Sequence, residues 1–249
     1  MLNDFTGRVA IVTGGASGMG AATSALLAER GATVIVVDQN NDLASKVCES
    51  LHLPSPIIGD VSDSAFCNAT IAGAIATHGR LDVLVNAAGV IVRSVAATTS
   101  DDEWRRVMSV NVDGTFFMCR AAVRAMAGTG GAIVNFGSIW GDLGAAGVAA
   151  YCASKGAVHN LTRALAIEHA SGGIRVNAVC PGEVDTPMLR SERTGPVTDD
   201  MLEDIAATVP MGRLAQPAEV AEVVAFLASD RSSYMTGALV SVDAGYGAR

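Results

Sequence analysis

The sequence has little charge, few aromatic residues and no basic run. Of its 249 residues, 17% are charged and 4% are aromatic, and the formal net charge is −8. An acidic chain without a basic cluster is not expected to bind nucleic acid or an anionic membrane. The longest apolar runs, TVIVV and GAIVNF, are strand-length and too short to span a membrane. The first strand-like run begins as early as Arg8, which leaves no room for a signal peptide, so we expect a cytoplasmic protein.

Cysteine and histidine are scarce and scattered. The five cysteines contain no CxxC pair, and together with four isolated histidines they offer no metal-ligand spacing. We therefore predict reduced cysteines and no metal site. Segments rich in proline, serine or like charges, which mark linkers, are also absent, and the length suits a single domain spanning residues 1–249.

Apolar runs of strand length alternate with helical segments along the whole chain. This alternation predicts an α/β fold: a Rossmann-like, doubly wound parallel sheet of seven strands with helices on both faces. The predicted strands are 8–13, 33–37, a third ending near Asp60, 81–86, 131–136, 174–179 and 237–243. The predicted helices are 21–30, 42–51, 64–78, 100–126, one opening near Tyr151, 198–208 and one starting at Pro217. The proline-containing stretch 182–216 is mostly irregular, which is typical of a substrate-binding lid.

A glycine-rich stretch, TGGASGMG at residues 13–20, lies between the first strand and the first helix. Glycines there allow a tight turn and let backbone N–H groups approach a pyrophosphate. Asp38 ends the second strand eighteen residues after Gly20, about the separation expected of a carboxylate that binds adenosine ribose hydroxyls. Such a carboxylate repels a 2′-phosphate, and no arginine or lysine stands in the loop or just after Asp38. NAD is therefore favoured over NADP.

A hydroxyl, a phenol and an ammonium occur at suggestive spacings in Ser138, Tyr151 and Lys155. Because Tyr151 and Lys155 are four residues apart in a helical run, they share one helix face. A free tyrosine has a pKa of about 10. A fixed neighbouring cation lowers that pKa towards the range that general acid–base catalysis needs. We predict a proton-transferring tyrosine, tuned by Lys155 and assisted by Ser138.

Together these motifs resemble the short-chain dehydrogenase/reductase family, and the likeness covers essentially the whole chain. In family order, the chain contains TGGASGMG (13–20), Asp60-Val61, NAAG (86–89), Asn111 in SVNVDG, Ser138, YCASK (151–155) and PGEVDTP (181–187). One position departs from the family pattern, because Ala87 replaces the second asparagine of N-N-A-G. We expect this change to alter a local hydrogen bond rather than the chemistry.

The resemblance implies an oxidoreductase in which Tyr151 exchanges a proton with the substrate oxygen and Ser138 hydrogen-bonds that oxygen. Lys155 would bind the nicotinamide ribose and lower the pKa of Tyr151, while Asn111 would hold a proton-relay water with Lys155. Asp60 and Val61 would contact the adenine, and Thr186 would contact the carboxamide. The backbone around Asn86, Ala88 and Gly89 would line the ribose. The remaining cofactor positions implied are Gly14, Ser17, Gly18, Met19, Gly20, Asp38, Pro181, Gly182 and Val184. The family usually forms tetramers or dimers, so a homotetramer or dimer is predicted.

The substrate pocket is predicted to be mainly apolar, which favours a hydrophobic or cyclic secondary alcohol or ketone. The residues expected to line it are Val90, Ile91, Val92, Arg93, Trp140, Leu143, Val184, Met188 and Leu189. Arg93 could clamp a carboxylate, as in relatives that act on sugar acids, but an exposed arginine at a loop edge is the preferred interpretation. The alternative functions are a 3-oxoacyl-[acyl-carrier-protein] reductase, a sugar or sugar-acid dehydrogenase, and an NAD(H)-sensing binding protein without catalysis.

Overall fold

The computed structural model describes residues 4–193 and 195–248. Residues 1–3, 194 and 249 belong to the predicted domain, and 194 to its predicted lid, but they lie outside the described residues. Seven strands form one sheet: β1 (Val9–Thr13), β2 (Thr33–Asp38), β3 (Ile57–Ile58), β4 (Val83–Asn86), β5 (Gly131–Phe136), β6 (Ile174–Pro181) and β7 (Leu239–Val242). All neighbouring strands are parallel, in the order β3-β2-β1-β4-β5-β6-β7. The predicted seven-stranded, Rossmann-like parallel sheet is confirmed.

The helices follow the strands along the chain. They are α1 (Gly18–Glu29), α2 (Asn41–Ser50), α3 (Ser64–His78), α4 (Asp101–Met108), α5 (Gly114–Ala125), α6 (Ala149–His169), α7 (Pro187–Arg190), α8 (Asp199–Thr208) and α9 (Pro217–Ala228). In the described part of the chain, no helix is both long and apolar enough to cross a membrane. The same residues contain no group of three potential metal ligands.

Both faces of the sheet are covered because successive strand residues point to opposite sides. On one face, Ala10 and Val12 of β1 are fully buried in a core that includes residues of α1, α2 and α9. On the other, Val9 and Ile11 lie in a second core with residues of α3, α5 and α6. Burial on both faces explains why the strands read as continuous apolar runs rather than as alternating ones.

The strand order reverses between β1 and β4, whose last residues, Thr13 and Asn86, pair with each other. Ligands of doubly wound sheets bind in the crevice at the carboxyl ends of the strands, at this reversal. The glycine-rich stretch follows β1, Ser138 follows β5, and Glu183 follows β6. The topology therefore brings residues that are far apart in sequence to one edge of the sheet.

Three elements differ from the predictions in detail. The third strand has only two residues, because β3 is an edge strand that pairs with β2 alone. The long helix predicted over 100–126 is interrupted by a π-helical turn, Ser109–Asp113, between α4 and α5. The stretch 182–216, predicted to be irregular with one helix, contains both α7 and α8.

Candidate active site

The glycine-rich stretch packs so tightly that side chains are excluded at two positions. A Cβ atom on Gly14 would lie 2.7 Å from the backbone nitrogen of Ala88, and the φ of Gly14 is +64°. A Cβ atom on Gly20 would lie 2.1 Å from the carbonyl oxygen of Gly14. Only glycine lets the turn close on itself and on the loop after β4. Helix α1 begins at Gly18, three residues earlier than predicted, so its N-terminus faces the crevice.

A cleft of about 880 Å³ opens beside this turn. It is lined by Gly14, Ser17, Gly18, Met19, Gly20, Val37, Asp38, Gln39, Gly59, Asp60, Val61, Ala87, Ala88, Gly89, Val90, Val110, Thr186, Pro187 and Met188. We call it the cofactor cleft. The backbone around Asn86 was predicted to line the ribose, and the side chain of Asn86 lies beneath the cleft, where its Nδ2 donates to Asn135 Oδ1 at 2.9 Å. Its buried amide holds β4 against β5.

Asp38 stands at the end of the cofactor cleft formed by β2. Its Oδ2 accepts the backbone N–H of Ala16 at 3.1 Å, and its Oδ1 accepts that of Asn40 at 3.0 Å. These hydrogen bonds fix the carboxylate against the glycine-rich stretch. A crevice lined by glycine backbone, a helix N-terminus and a fixed carboxylate fits a dinucleotide.

A second cleft, of about 830 Å³, adjoins the first and shares Met19, Thr186 and Met188 with it. We call it the substrate cleft. It is lined by Met19, Ile91, Arg93, Gly137, Ser138, Trp140, Ala145, Ala146, Val148, Tyr151, Pro181, Gly182, Glu183, Val184, Thr186, Met188 and Leu189. The predicted cofactor positions Pro181, Gly182 and Val184 lie on this side. Leu143 and Val92 do not line it, because Leu143 lies in an exposed loop and Val92 is buried beneath.

Tyr151 and Ser138, the predicted catalytic pair, both line the substrate cleft. Tyr151 lies in the first turn of α6 and is buried, and its hydroxyl hydrogen-bonds the side chain of Ser138. The Ser138 Oγ also accepts the backbone N–H of Trp140 at 3.2 Å, which fixes its direction. Two hydroxyl groups are thus held side by side on the wall of the substrate cleft.

The electrostatics of Tyr151 differ from the prediction that Lys155 lowers its pKa. Burial raises the pKa of Tyr151 to about 12, and the hydrogen bond with Ser138 only partly opposes that rise. The Lys155 Nζ donates to the carbonyl oxygen of Phe136 at 2.7 Å and lies 5.5 Å from the centre of the Tyr151 ring. Burial also lowers the pKa of Lys155 to about 8. Desolvation is therefore the largest influence on the pKa of each of these two side chains.

Asn111 occupies the π-helical turn, a local distortion that is frequent at functional sites. Its side chain accepts the backbone N–H of Val90 at 2.8 Å and donates to the carbonyl oxygen of Val90 at 2.9 Å and to Ser154 Oγ at 3.0 Å. A Cβ atom on Gly89 would lie 3.4 Å from Asn111 Oδ1 and 3.8 Å from Lys155 Nζ. Asn111 and Lys155 therefore flank the same glycine of the cofactor cleft.

Arg93 is not the exposed loop-edge arginine that the sequence favoured. It is half-buried, and its guanidinium faces the segment after β6. Nε donates to the carbonyl oxygen of Ser191 at 3.1 Å, while Nη2 donates to those of Leu189 and Met188 at 3.4 and 3.5 Å. Arg93 thus ties the end of α7 to the loop after β4.

Two side chains near the site were not identified from the sequence. Glu183 is half-buried in the wall of the substrate cleft, and burial raises the pKa of its carboxyl. The only sequence signal for Glu183 was its place inside PGEVDTP, next to the positions that carry the motif. His159, which the sequence analysis left without a role, is almost completely buried behind Ser138.

The imidazole of His159 connects the catalytic helix to the loop that carries Ser138. Its Nε2 accepts the backbone N–H of Ser138 at 3.3 Å, and its Nδ1 lies 3.1 Å from Asp142 Oδ1. A Cβ on Gly137 or Gly141 would lie 2.5 or 2.4 Å from the ring, so both glycines make room for it. Burial lowers the pKa of His159, and only the neutral ring can accept from Ser138.

The fold and the two clefts define a dinucleotide-dependent enzyme of the doubly wound class. A family model described as enoyl-(acyl carrier protein) reductase matches residues 14–247. The chain is 44% identical to cis-4-hydroxycyclohexanecarboxylate dehydrogenase of Sinomonas cyclohexanicum, with 97% of each chain covered. It is 39% identical to meso-2,3-butanediol dehydrogenase of Serratia marcescens, with 97% of this chain and 95% of the relative covered.

A solved structure of a short-chain type dehydrogenase/reductase from Mycobacterium marinum superposes with a TM-score of 0.91 at 32% identity. The superposition covers 98% of this chain and 97% of that one. The chain belongs to the short-chain dehydrogenase/reductase family. It is an oxidoreductase that acts on CH–OH groups of small molecules with a nicotinamide dinucleotide.

Proposed function

We propose that the protein is an NAD-dependent dehydrogenase of a small cyclic or otherwise hydrophobic secondary alcohol, working reversibly on the corresponding ketone. The observation that carries the proposal is the pair of hydroxyl groups, Ser138 and Tyr151, on the wall of a cleft that presents both apolar and polar surface and opens into the cofactor cleft. The relative that acts on a substituted cyclohexane ring supports a cyclic substrate. Asp38 supports NAD, because its carboxylate accepts hydrogen bonds from a free 2′-hydroxyl and repels a 2′-phosphate.

The two hydroxyl groups have complementary tasks in this mechanism. A nicotinamide dinucleotide, when bound, supplies the hydride acceptor or donor and, in its oxidised form, a positive charge. Tyr151 takes the hydroxyl proton of the substrate during oxidation and returns a proton to the carbonyl oxygen during reduction. Ser138 donates a hydrogen bond to the same oxygen and stabilises the negative charge that develops on it.

Lys155 and Asn111 complete the proposed proton path. Their side chains flank Gly89, which lines the cofactor cleft. Since burial alone raises the pKa of Tyr151, a proton leaves it readily only when further positive charge lies nearby. We assign Lys155 to the nicotinamide ribose hydroxyls, and Lys155 with Asn111 to a water chain that returns protons to solvent.

The assembly and compartment are part of the same proposal. Trp104 of α4, Phe116 of α5 and Ile167 of α6 are large apolar side chains that are exposed in the single chain. Their positions support a dimer or tetramer formed through these helices, and sedimentation of a monomer at micromolar concentration would contradict it. The five free thiols support a reducing, cytoplasmic environment.

The decisive experiment follows NADH or NADPH absorbance over a panel of alcohols and ketones with the wild type and Tyr151→Phe. We expect turnover with NAD and a loss in kcat of about 10²–10⁴-fold in the variant, because general acid–base catalysis contributes that much. Tyr234→Phe is the matched control, since Tyr234 is fully exposed. Tight NADH binding without turnover of any substrate, unchanged in Tyr151→Phe, would instead identify a binding protein.

A further inference from the structure

Glu183 is the acidic side chain on the described lining of the substrate cleft. Its backbone is held on both sides, because its carbonyl oxygen accepts the N–H of Ala215 at 3.0 Å and the preceding Gly182 N–H donates to Val242 at 3.0 Å. The position of its Cα is therefore set by the end of β6 and by the chain that returns from α8. A side chain on so fixed a backbone is suited to select a substrate.

No described residue donates a hydrogen bond to the half-buried carboxylate of Glu183, and burial raises the pKa of that carboxyl. It lies close enough to the reacting site that its charge raises the pKa of Tyr151. A partly dehydrated carboxylate without donors is costly, and the cost falls when a ligand brings a donor to it. A hydroxyl group is such a donor, and the cleft is open to ligand on this side.

Arg93, the cation on the lining of the same cleft, does not supply that hydrogen-bond donor. Arg93 directs its Nε and Nη2 to the three lid carbonyls of 188, 189 and 191 and forms no ion pair with Glu183. Arg93 and Arg193 attract the charge of Glu183 at longer range, and neither donates a hydrogen bond to it. A carboxylated substrate would meet the half-buried carboxylate of Glu183, while Arg93 is already engaged with the lid carbonyls. A neutral substrate with a second hydroxyl group meets neither obstacle.

We propose that Glu183 accepts a hydrogen bond from a second hydroxyl group of the substrate, so that the preferred substrate is a diol rather than a simple alcohol or a hydroxy acid. This inference rests on the proposed function, because it takes oxidation of a secondary alcohol at Tyr151 as given. The first hydroxyl group lies at Ser138 and Tyr151 and reacts. The second lies at Glu183 and positions the ring.

The test compares kcat/KM for cyclohexanol, for 1,2- and 1,4-cyclohexanediol and for 4-hydroxycyclohexanecarboxylate, all with NAD. A hydrogen bond to a charged group corresponds to a factor of about ten or more in kcat/KM. We therefore expect kcat/KM for at least one diol to exceed that for cyclohexanol by this factor. In Glu183→Met, which keeps the side-chain length but not the oxygens, the ratio should fall about tenfold. Glu183→Gln, which keeps an acceptor, should lose less.

The informative quantity is kcat/KM for the diol divided by kcat/KM for cyclohexanol. Glu183 also acts on the Tyr151 pKa, so its replacement changes the absolute rates with both substrates. Both variants should also accept the hydroxy acid better than the wild type does, since the repelling charge is gone. Asp185→Asn is the matched control: Asp185 stands two residues on, pairs with Arg190 and does not line either cleft, so its ratio should stay that of the wild type.

The possible outcomes distinguish failure of the role of Glu183 from failure of the proposed function. Turnover of cyclohexanol and diols with the same ratio in wild type, Glu183→Met and Glu183→Gln overturns the role of Glu183 and leaves the proposed function intact. A wild-type preference for the hydroxy acid over the diols also overturns it. No turnover of any alcohol or ketone by the wild type overturns both.

Discussion

The cofactor cleft and the substrate cleft adjoin each other, but the shape of the first depends on backbone and that of the second on side chains. The cofactor cleft consists largely of backbone, and its shape depends on positions where a Cβ atom cannot exist, such as Gly14 and Gly20. The substrate cleft depends on side chains from the segments that follow β4, β5 and β6, such as Arg93, Trp140 and Glu183. A position where no side chain fits is recognisable in a sequence because it must be glycine. A loop position that needs one particular side chain cannot be recognised in this way.

The largest effect should follow from placing a side chain where the cofactor cleft excludes one. In Gly20→Ala, the new Cβ atom would lie 2.1 Å from the Gly14 carbonyl oxygen, so the turn must open. We expect NADH affinity, measured by fluorescence titration, to fall by about 100-fold or more, which corresponds to about 3 kcal/mol.

Gly73→Ala is the control for that variant. Gly73 lies on an exposed face of α3, and a Cβ atom there meets nothing within 4 Å. The same chemical change should keep NADH affinity and stabilise α3 by about 0.5–1 kcal/mol, because alanine has the higher helix propensity. Equal NADH affinity in Gly20→Ala and wild type would show that the tight turn does not form the binding site.

The next effect concerns the part of the cofactor cleft that is made by a side chain. Asp38→Asn keeps the shape of the residue and removes the charge that would repel a 2′-phosphate. We expect the ratio of kcat/KM for NAD to that for NADP to fall by about 10- to 100-fold. Asp42→Asn, in the first turn of α2 and outside both clefts, should leave the ratio unchanged. A wild type that prefers NADP would contradict the role of Asp38 from the outset.

Much of the fold was predictable because its causes are local. Strands buried on both faces appear as continuous apolar runs, and the tight turn after β1 requires glycine, so the sheet and the cofactor cleft followed from the sequence. The π-helical turn at Asn111 did not, because it is a single extra residue in a helix whose apolar pattern continues through it. The short β3 did not either, since an edge strand lacks a second neighbour to extend it.

The substrate cleft was harder to predict because its contacts are distant in sequence. His159 lies behind Ser138, 21 residues away, in space left by Gly137 and Gly141. Nothing in the periodicity of α6 distinguishes this histidine from an ordinary polar residue. The role of Arg93 depends in the same way on carbonyl groups almost a hundred residues further on, such as that of Ser191.

A smaller effect would decide what Arg93 does in the substrate cleft. Since its guanidinium holds the carbonyls at the end of α7, Arg93→Ala should loosen that segment and raise the KM of neutral and acidic substrates alike, by about three- to tenfold. Arg190→Ala is the control, because Arg190 lies on α7 but pairs with Asp185 on its exposed side. A rise in KM confined to carboxylated substrates would show that Arg93 is a carboxylate clamp after all.

The smallest effect is a pH dependence of stability that arises at His159, which connects α6 to the loop carrying Ser138. Burial lowers the pKa of His159 below its usual 6.5, an effect that Lys155 and Arg163 reinforce and Asp142 opposes. The unfolded chain therefore binds a proton at a higher pH than the folded protein does. The stability that the neutral ring contributes is complete above about pH 6.5 and is lost as the pH falls below it, by at most about 1.4 kcal/mol per pH unit.

Replacing this histidine should remove that dependence while keeping the acceptor for Ser138. His159→Gln should be less stable than the wild type at pH 7, by about 1–2 kcal/mol, because a buried ring that fills the space beside Gly137 and Gly141 is lost. As the pH falls from 7 to about 5.5, urea unfolding should show the wild type losing stability faster, so that the difference narrows. In Asp142→Asn, the group that opposes the lowering of the His159 pKa is gone, so that pKa falls further. The loss of stability of this variant should therefore continue to a lower pH than in the wild type. Parallel curves for wild type and His159→Gln would mean that the ring is not held neutral in the fold, and Ser138 would then need another anchor.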